Sequence, residues 1–156
     1  MQIPDFLDGF LRGPTMILVG SRNAANIAEV GRAVGVWIGP GASELDLLIS
    51  RWQWPDTIAN LVQNGASAVT VSRPTDYTTY QFKGRATLKD PVAEDLMLAA
   101  QYIRMMSDCL VGLGVERAVM ASFLCDRDLL FARLSVDEIF VQTPGPSAGT
   151  AVGLPT

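Results

Sequence analysis

Histidine is absent from the 156-residue chain. Its absence removes the Ser-His-Asp and Cys-His nucleophile arrangements, the His-based zinc sites and the commonest general base. Hydrolases built on histidine are therefore excluded. Cysteine is scarce: Cys109 and Cys125 are the two present, and they are not in C-x-x-C spacing. No metal site is expected. The cysteine usage, with an N-terminus that lacks a charged stretch followed by an apolar one, leads us to expect a reduced, cytoplasmic setting. Charge is sparse too, at 18% of residues with a net −4. Lys and Arg are scattered along the chain, so no electrostatic footprint for nucleic acid is expected. Apolar runs such as Met16 to Val19 or Leu96 to Ala100 fall far short of the ~20 residues that cross a bilayer, and no membrane span is expected.

What the chain does have is apolar residues, 49% of the total. That composition fits neither disorder, nor collagen, nor coiled coil. A chain of this length buries roughly two thirds of its unfolded surface as one domain, so residues 1–156 are read as a single domain. Phe6, Leu7, Phe10 and Leu11 predict a short opening helix that Gly13-Pro14 stops. Thr15 to Gly20 predicts a first strand, with Ser21-Arg22-Asn23 as its turn. Ile27 to Ile38, interrupted by Gly31 and Gly35, reads as a strand with a bulge. Glu44 to Ser50 is extended, and Pro55 then opens a helix with Ile58, Leu61 and Val62 on one stripe, ended by Asn64-Gly65.

Ala66 to Ser72 and Thr78 to Leu88 predict a hairpin about Pro74-Thr75-Asp76. Asp90-Pro91 starts a long helix whose stripe is Val92, Leu96, Ala99, Ile103, Met106, Leu110 and Leu113. Val115 to Cys125 fits a short helix or a strand, Leu129 to Gln142 is β-rich, and residues 143–156 form a Pro/Gly-rich irregular tail. Strands with helices between and after them indicate an α+β fold around a barrel or strongly curled sheet.

Gly39-Pro40-Gly41 lacks the Lys-Ser/Thr of a P-loop, and Gly112-Leu113-Gly114 follows a helix, so both are turns or caps. Glu94-Asp95 and Asp137-Glu138 are sequence neighbours that diverge in a helix or strand, which argues against a shared acid/base site. The informative segment is Ser72 to Arg85. As a strand, its second half puts Thr79, Gln81, Lys83 and Arg85 on one face and Tyr80 with Phe82 on the other. A solvated outer face accounts for the polar side equally well.

The run Arg73-Pro74, Tyr77, Gln81 and Lys83-Gly84, preceded by Thr57-Ile58-Ala59-Asn60-Leu61 and Asn64-Gly65, resembles the pyridoxamine 5′-phosphate oxidase-like, FMN-binding split β-barrel proteins. The later Ile139 to Pro146 resembles the end of a small branch of that group. The resemblance implies a six-stranded split barrel with flanking helices that dimerises and binds two FMN molecules in clefts between subunits. It implies that Ser50, Arg51 and Thr57 lie at the flavin phosphate, Thr57 standing where the family often has lysine. It likewise places Ser72, Arg73, Thr79, Gln81 and Lys83 near the flavin edge, with Thr78 where arginine is often found. Trp52, beside Trp54, would cover the ring or a substrate, or pack in the dimer interface. Arg22 and Arg32 would reach the phosphate from neighbouring strands.

On that resemblance the expected function is an FMN-dependent oxidoreductase acting on a small organic substrate, with NADH or NADPH as a candidate reductant. Lys83 or Arg73 would supply the positive group near the flavin, and no residue identifies itself as catalytic. The alternatives are a non-catalytic flavin-binding or sensing module with a degenerate pocket, and a reductase using the deazaflavin F420. A homodimer is expected because the split barrel leaves an apolar flank, taken to include the Tyr80/Phe82 face and Trp52, for a partner to cover.

Overall fold

The computed structural model describes residues 1–153. The chain runs α1 (Phe6–Leu11), β1 (Met16–Arg22), β2 (Ala28–Ile38), β3 (Glu44–Ser50), α2 (Pro55–Asn64), β4 (Ala66–Ser72), β5 (Thr79–Lys89), α3 (Ala93–Gly112), α4 (Arg117–Met120) and β6 (Leu129–Val141). The six strands close into a barrel in the order β1-β2-β3-β6-β5-β4, and every neighbouring pair is antiparallel. Closure leaves no unpaired sheet edge. The expected six-stranded split β-barrel with flanking helices is the fold found.

Period-two alternation fills the barrel. Ile17, Val19, Val69, Val71 and Phe82 point inward and are at most 1% exposed, while Leu18, Thr70 and Gln81 alternate outward. β2 carries the expected bulge, its register against β3 shifting between Ala33 and Val36. A second shift, in β5 at Lys83/Gly84, had no signal beyond the glycine itself. A Cβ on Gly84 would overlap the Ser135 carbonyl, so the two backbones approach too closely for a side chain.

α2 starts with Pro55 and ends at Gly65, whose left-handed φ of 69° lets its N–H reach back to the Leu61 carbonyl at 2.9 Å. Ile58 and Leu61 face the barrel, and Asn60 Nδ2 donates to Ser21 Oγ at 3.1 Å. Val62 is 73% exposed, so the expected stripe is one residue too wide. α3 is closed at its start by Asp95, which accepts from the Val92 N–H at 2.9 Å. Its buried residues are Asp95, Ala99, Tyr102, Met106 and Leu110, whereas Leu96, at 47% exposed, faces water with Val92 and Leu113. The stripe is thus rotated, because Asp95 and Tyr102 turn inward to hydrogen-bond the helix start and, through the Tyr102 hydroxyl at 2.6 Å, the Thr15 carbonyl.

The Tyr80/Phe82 face is interior. Phe82 is fully buried, and Tyr80 is covered by Phe6 and Phe10 of α1, with centroids 6.3 and 5.2 Å away. It is not a flank for a partner. β1 runs on through Ser21 and Arg22, where a turn was expected. The tail folds back on β6: the Val141 N–H donates to the Thr150 carbonyl at 2.9 Å, and Ala151 bridges Phe140. Residues 154–156 lie outside the described residues.

Candidate functional site

The residues singled out by sequence fall into two groups joined by a row across the outer sheet face. The first surrounds the β3–α2 turn. Ser50 is 1% exposed, and its hydroxyl donates to the Arg127 carbonyl at 2.6 Å while accepting from the Gln53 N–H at 3.1 Å. Arg51 grips Asp128 with two bonds of 3.0 and 2.8 Å. Trp52 is 55% exposed and carries the Arg127 guanidinium over its ring at 4.5 Å. Thr57 is 1% exposed, and its hydroxyl has no hydrogen-bond partner among the described residues. It faces Gly31, where a Cβ would stand 2.7 Å from the hydroxyl oxygen. No side chain caps the start of α2.

The second group lies at the β4–β5 hairpin. Ser72 and Thr79 share a hydroxyl hydrogen bond of 2.8 Å, and Thr79 donates its N–H to Thr143 Oγ1 at 2.9 Å. Arg73 grips Asp76 with bonds of 3.0 and 2.7 Å and reaches Thr78 Oγ1 at 3.2 Å. Its hydrogen bond to Asp76 holds that carboxyl well below the usual carboxylate range, and the bond from Arg51 lowers Asp128 in the same way.

Ladder partners link the groups. Arg32 lies opposite Leu18, Leu18 opposite Thr70, and Thr70 opposite Gln81. Gln81 Nε2 donates to Thr70 Oγ1 at 3.0 Å. The β2–β3 register pairs Ala33 with Ile49, so Arg32 is carried alongside the end of β3, and its guanidinium lies 4.8 Å above the Phe123 ring. Lys83 stands apart from this row, with its ammonium 4.7 Å above Phe140. It also lines a groove of about 640 Å³ with Gly20, Ala66, Ala68 and Gly84, which no residue of the two groups or of the row between them lines. Arg22 lines that groove too.

Sequence reasoning missed the segment before β6. Ser122 accepts from Gln53 Nε2 at 2.6 Å, and Phe123, Arg127 and Asp128 touch Arg32, Trp52 and Arg51. No local pattern ties residues 122–128 to residues 50–53. Only the β3–β6 pairing, with Ser50 opposite Leu129, brings them together.

The donor set fits a phosphorylated planar group in kind. An uncapped helix start with an unpartnered hydroxyl in its first turn is an anion-binding end, and Arg32, Arg51 and Arg127 are gathered on the residues around it. Arg51 would have to exchange Asp128 for the phosphate. Among the described residues no cluster of His, Cys, Asp or Glu could hold a metal, and no helix is long and apolar enough to cross a membrane.

No family model matches the sequence, and no curated protein matches it. Solved structures do match in three dimensions. A candidate pyridoxamine 5′-phosphate oxidase of Lactobacillus delbrueckii aligns at 11% identity and TM-score 0.56 over 90% of this chain and 94% of its own. HutZ of Vibrio cholerae, described as a heme storage protein, aligns at 17% and 0.53 over 90% and 95%. An F420 reductase aligns at 12% and 0.53 over 88% and 98%. At such identities the common property is architecture. The chain has the fold of the pyridoxamine 5′-phosphate oxidase-like split barrels, a fold whose members named here carry different descriptions of what they bind.

Proposed function

We propose that this chain is an FMN-binding split-barrel oxidoreductase acting on a small organic substrate as a homodimer in a cytoplasmic setting. The observation that carries the reading is the anion-binding character of the β3–α2 turn: the uncapped start of α2, the unpartnered Thr57 hydroxyl, and Arg32, Arg51 and Arg127 around it. Bound there, FMN would supply a hydride carrier that NADH or NADPH can reduce. The chain would hold the phosphate with Thr57 and with Arg51 once it leaves Asp128, while Ser50, its hydroxyl committed to the Arg127 carbonyl, would shape the turn, and Trp52 would cover the ring. Gln81, positioned by Thr70, would hydrogen-bond the ring edge together with Ser72 and Thr79, and Lys83 or Arg73 would offer positive charge. The exposed Leu18 and Val30 on the outer face of β1 and β2 are the apolar surface that a second copy would cover.

A second reading, a flavin-binding or sensing module without turnover, is favoured by one specific feature. Two of the arginines assigned to the flavin already have a carboxylate partner, Arg51 at the phosphate with Asp128 and Arg73 at the ring edge with Asp76. Heme, named for the Vibrio protein, could not be held here through a histidine ligand, since this chain has none.

The test is the visible spectrum of the purified protein, titrated with FMN, riboflavin and F420, followed by NADH or NADPH. A tenfold or greater preference for FMN over riboflavin, with the flavin band bleached by a nicotinamide, supports the enzyme. The same preference without bleaching supports the module. F420 in place of FMN supports the deazaflavin reductase. Equal binding of FMN and riboflavin overturns the phosphate assignment.

A further inference from the structure

A second cavity lies away from the phosphate turn, between the end of α1, the bulge of β2 and one face of α3. It measures about 390 Å³ and is lined by Leu11, Val36, Trp37, Leu98, Tyr102 and Met105, with Arg12, Glu94 and Gln101 as its polar groups. None of the residues assigned above to the flavin is among them. Gly35 in the β2 bulge also lines it, and the absence of a side chain there leaves room over the Trp37 ring.

The lining defines the chemistry of an occupant. Its floor is aromatic and aliphatic, and the Tyr102 hydroxyl is already committed to the Thr15 carbonyl at 2.6 Å, so the floor offers a flat apolar body nothing but contact. The charges are all at the rim and do not balance. Arg12 holds Asp8 in a two-bonded pair at 2.9 Å, whereas Glu94 has no ion-pair partner among the described residues. A carboxylate without a partner beside an apolar cavity favours a cation, and Gln101 adds one hydrogen-bonding amide.

We propose that this cavity binds a small aryl-alkyl amine, its ring system lying among Trp37, Leu98 and Met105 and its ammonium group at Glu94. The volume is that of a small-molecule site and accommodates a bicyclic ring. Carboxylates and phosphates of similar shape would meet Glu94 with like charge and are disfavoured. The site is independent of flavin, so its test needs none.

The test is calorimetric titration of the purified protein with 1-naphthylmethylamine and with 1-naphthylacetate, a pair of similar ring body and opposite charge. The amine is expected to bind about fivefold tighter, the scale of one half-exposed charge pair. Glu94→Gln should remove that preference while leaving the acid's affinity unchanged or improved. Leu98→Trp, which fills the cavity, should weaken both ligands at least tenfold with the melting temperature unchanged, and Gln101→Trp on the exposed rim serves if the first variant fails to fold. Equal affinities for amine and acid, a preference that survives Glu94→Gln, binding untouched by the filling variants, or no binding of either ligand at millimolar concentration would each overturn the proposal.

Discussion

Arg51 and Arg32 reach the same corner of the barrel in different states. Arg51 is clamped by Asp128, whereas Arg32 rests on an aromatic ring and has no ion-pair partner among the described residues. If FMN binds at this turn, Arg32→Ala should weaken it by about 1–2 kcal/mol, the scale of one charge-assisted bond in a partly exposed site. Riboflavin, lacking the phosphate, should be unaffected, and parallel titrations check this. Asp128→Asn works in the opposite sense, since it releases Arg51 and should tighten FMN by about fivefold. The same clamps set a pH dependence. Hydrogen bonds from Arg73 and Arg51 lower the Asp76 and Asp128 carboxyls in the folded chain. Each pair therefore contributes fully above the unfolded carboxylate value of ~4 and is lost as pH falls through the lowered folded value. Melting temperature should be flat through neutral pH and fall only in acid, and Asp76→Asn combined with Asp128→Asn should flatten the part of that fall due to these pairs.

At the scale of elements, α3 shows how a helix with many apolar residues chooses its face. Nearly every turn offers two apolar positions, and the pair that turns inward is the one that also settles Asp95 and Tyr102. Met106 is fully buried while Leu96 is 47% exposed. Met106→Ala should cost about 2–5 kcal/mol and Leu96→Ala under about 1 kcal/mol, compared by urea denaturation. The β5–β6 crossing gives a sharper case. Because a Cβ on Gly84 overlaps the Ser135 backbone, Gly84→Ala should destabilise by about 1–3 kcal/mol or more. An unchanged denaturation midpoint would mean that the register shift at Lys83/Gly84 is not fixed by this contact.

The whole molecule hides its β5 aromatics and exposes a different surface. Tyr80 and Phe82 lie inside the barrel and under α1, so the proposed dimer would have to use another surface, and the outward Leu18 and Val30 of β1 and β2 are the residues that test it. Sedimentation at micromolar concentration should give a dimer for the parent chain and a monomer for Leu18→Asp, with the variant still folded by circular dichroism. A folded parent monomer would remove both the dimer and any binding site built between two copies.

The strands and most helix boundaries were legible in the sequence because each rests on local signals: alternation in β4 and β5, Pro55 and Gly65 bracketing α2, glycines breaking β2 at its bulge. Local pattern reached only a barrel or strongly curled sheet, and the six-stranded split barrel came from the family resemblance. The grouping of Ser50, Arg51, Trp52 and Thr57 about the β3–α2 turn was indicated by that resemblance and by no local pattern. Which of their atoms remain free was decided only by tertiary structure. Ser50 spends its hydroxyl on a carbonyl 77 residues away, Arg51 meets a carboxylate equally distant, and Thr57 turns toward a glycine of β2. Which face of β5 is inside was likewise settled by barrel closure, because alternation distinguishes two faces without saying which one water sees. Local sequence carries propensity and period. Long-range pairing carries the partner of Arg51, in contrast to the local Arg73–Asp76 and Arg12–Asp8 pairs, and the exposure of each face.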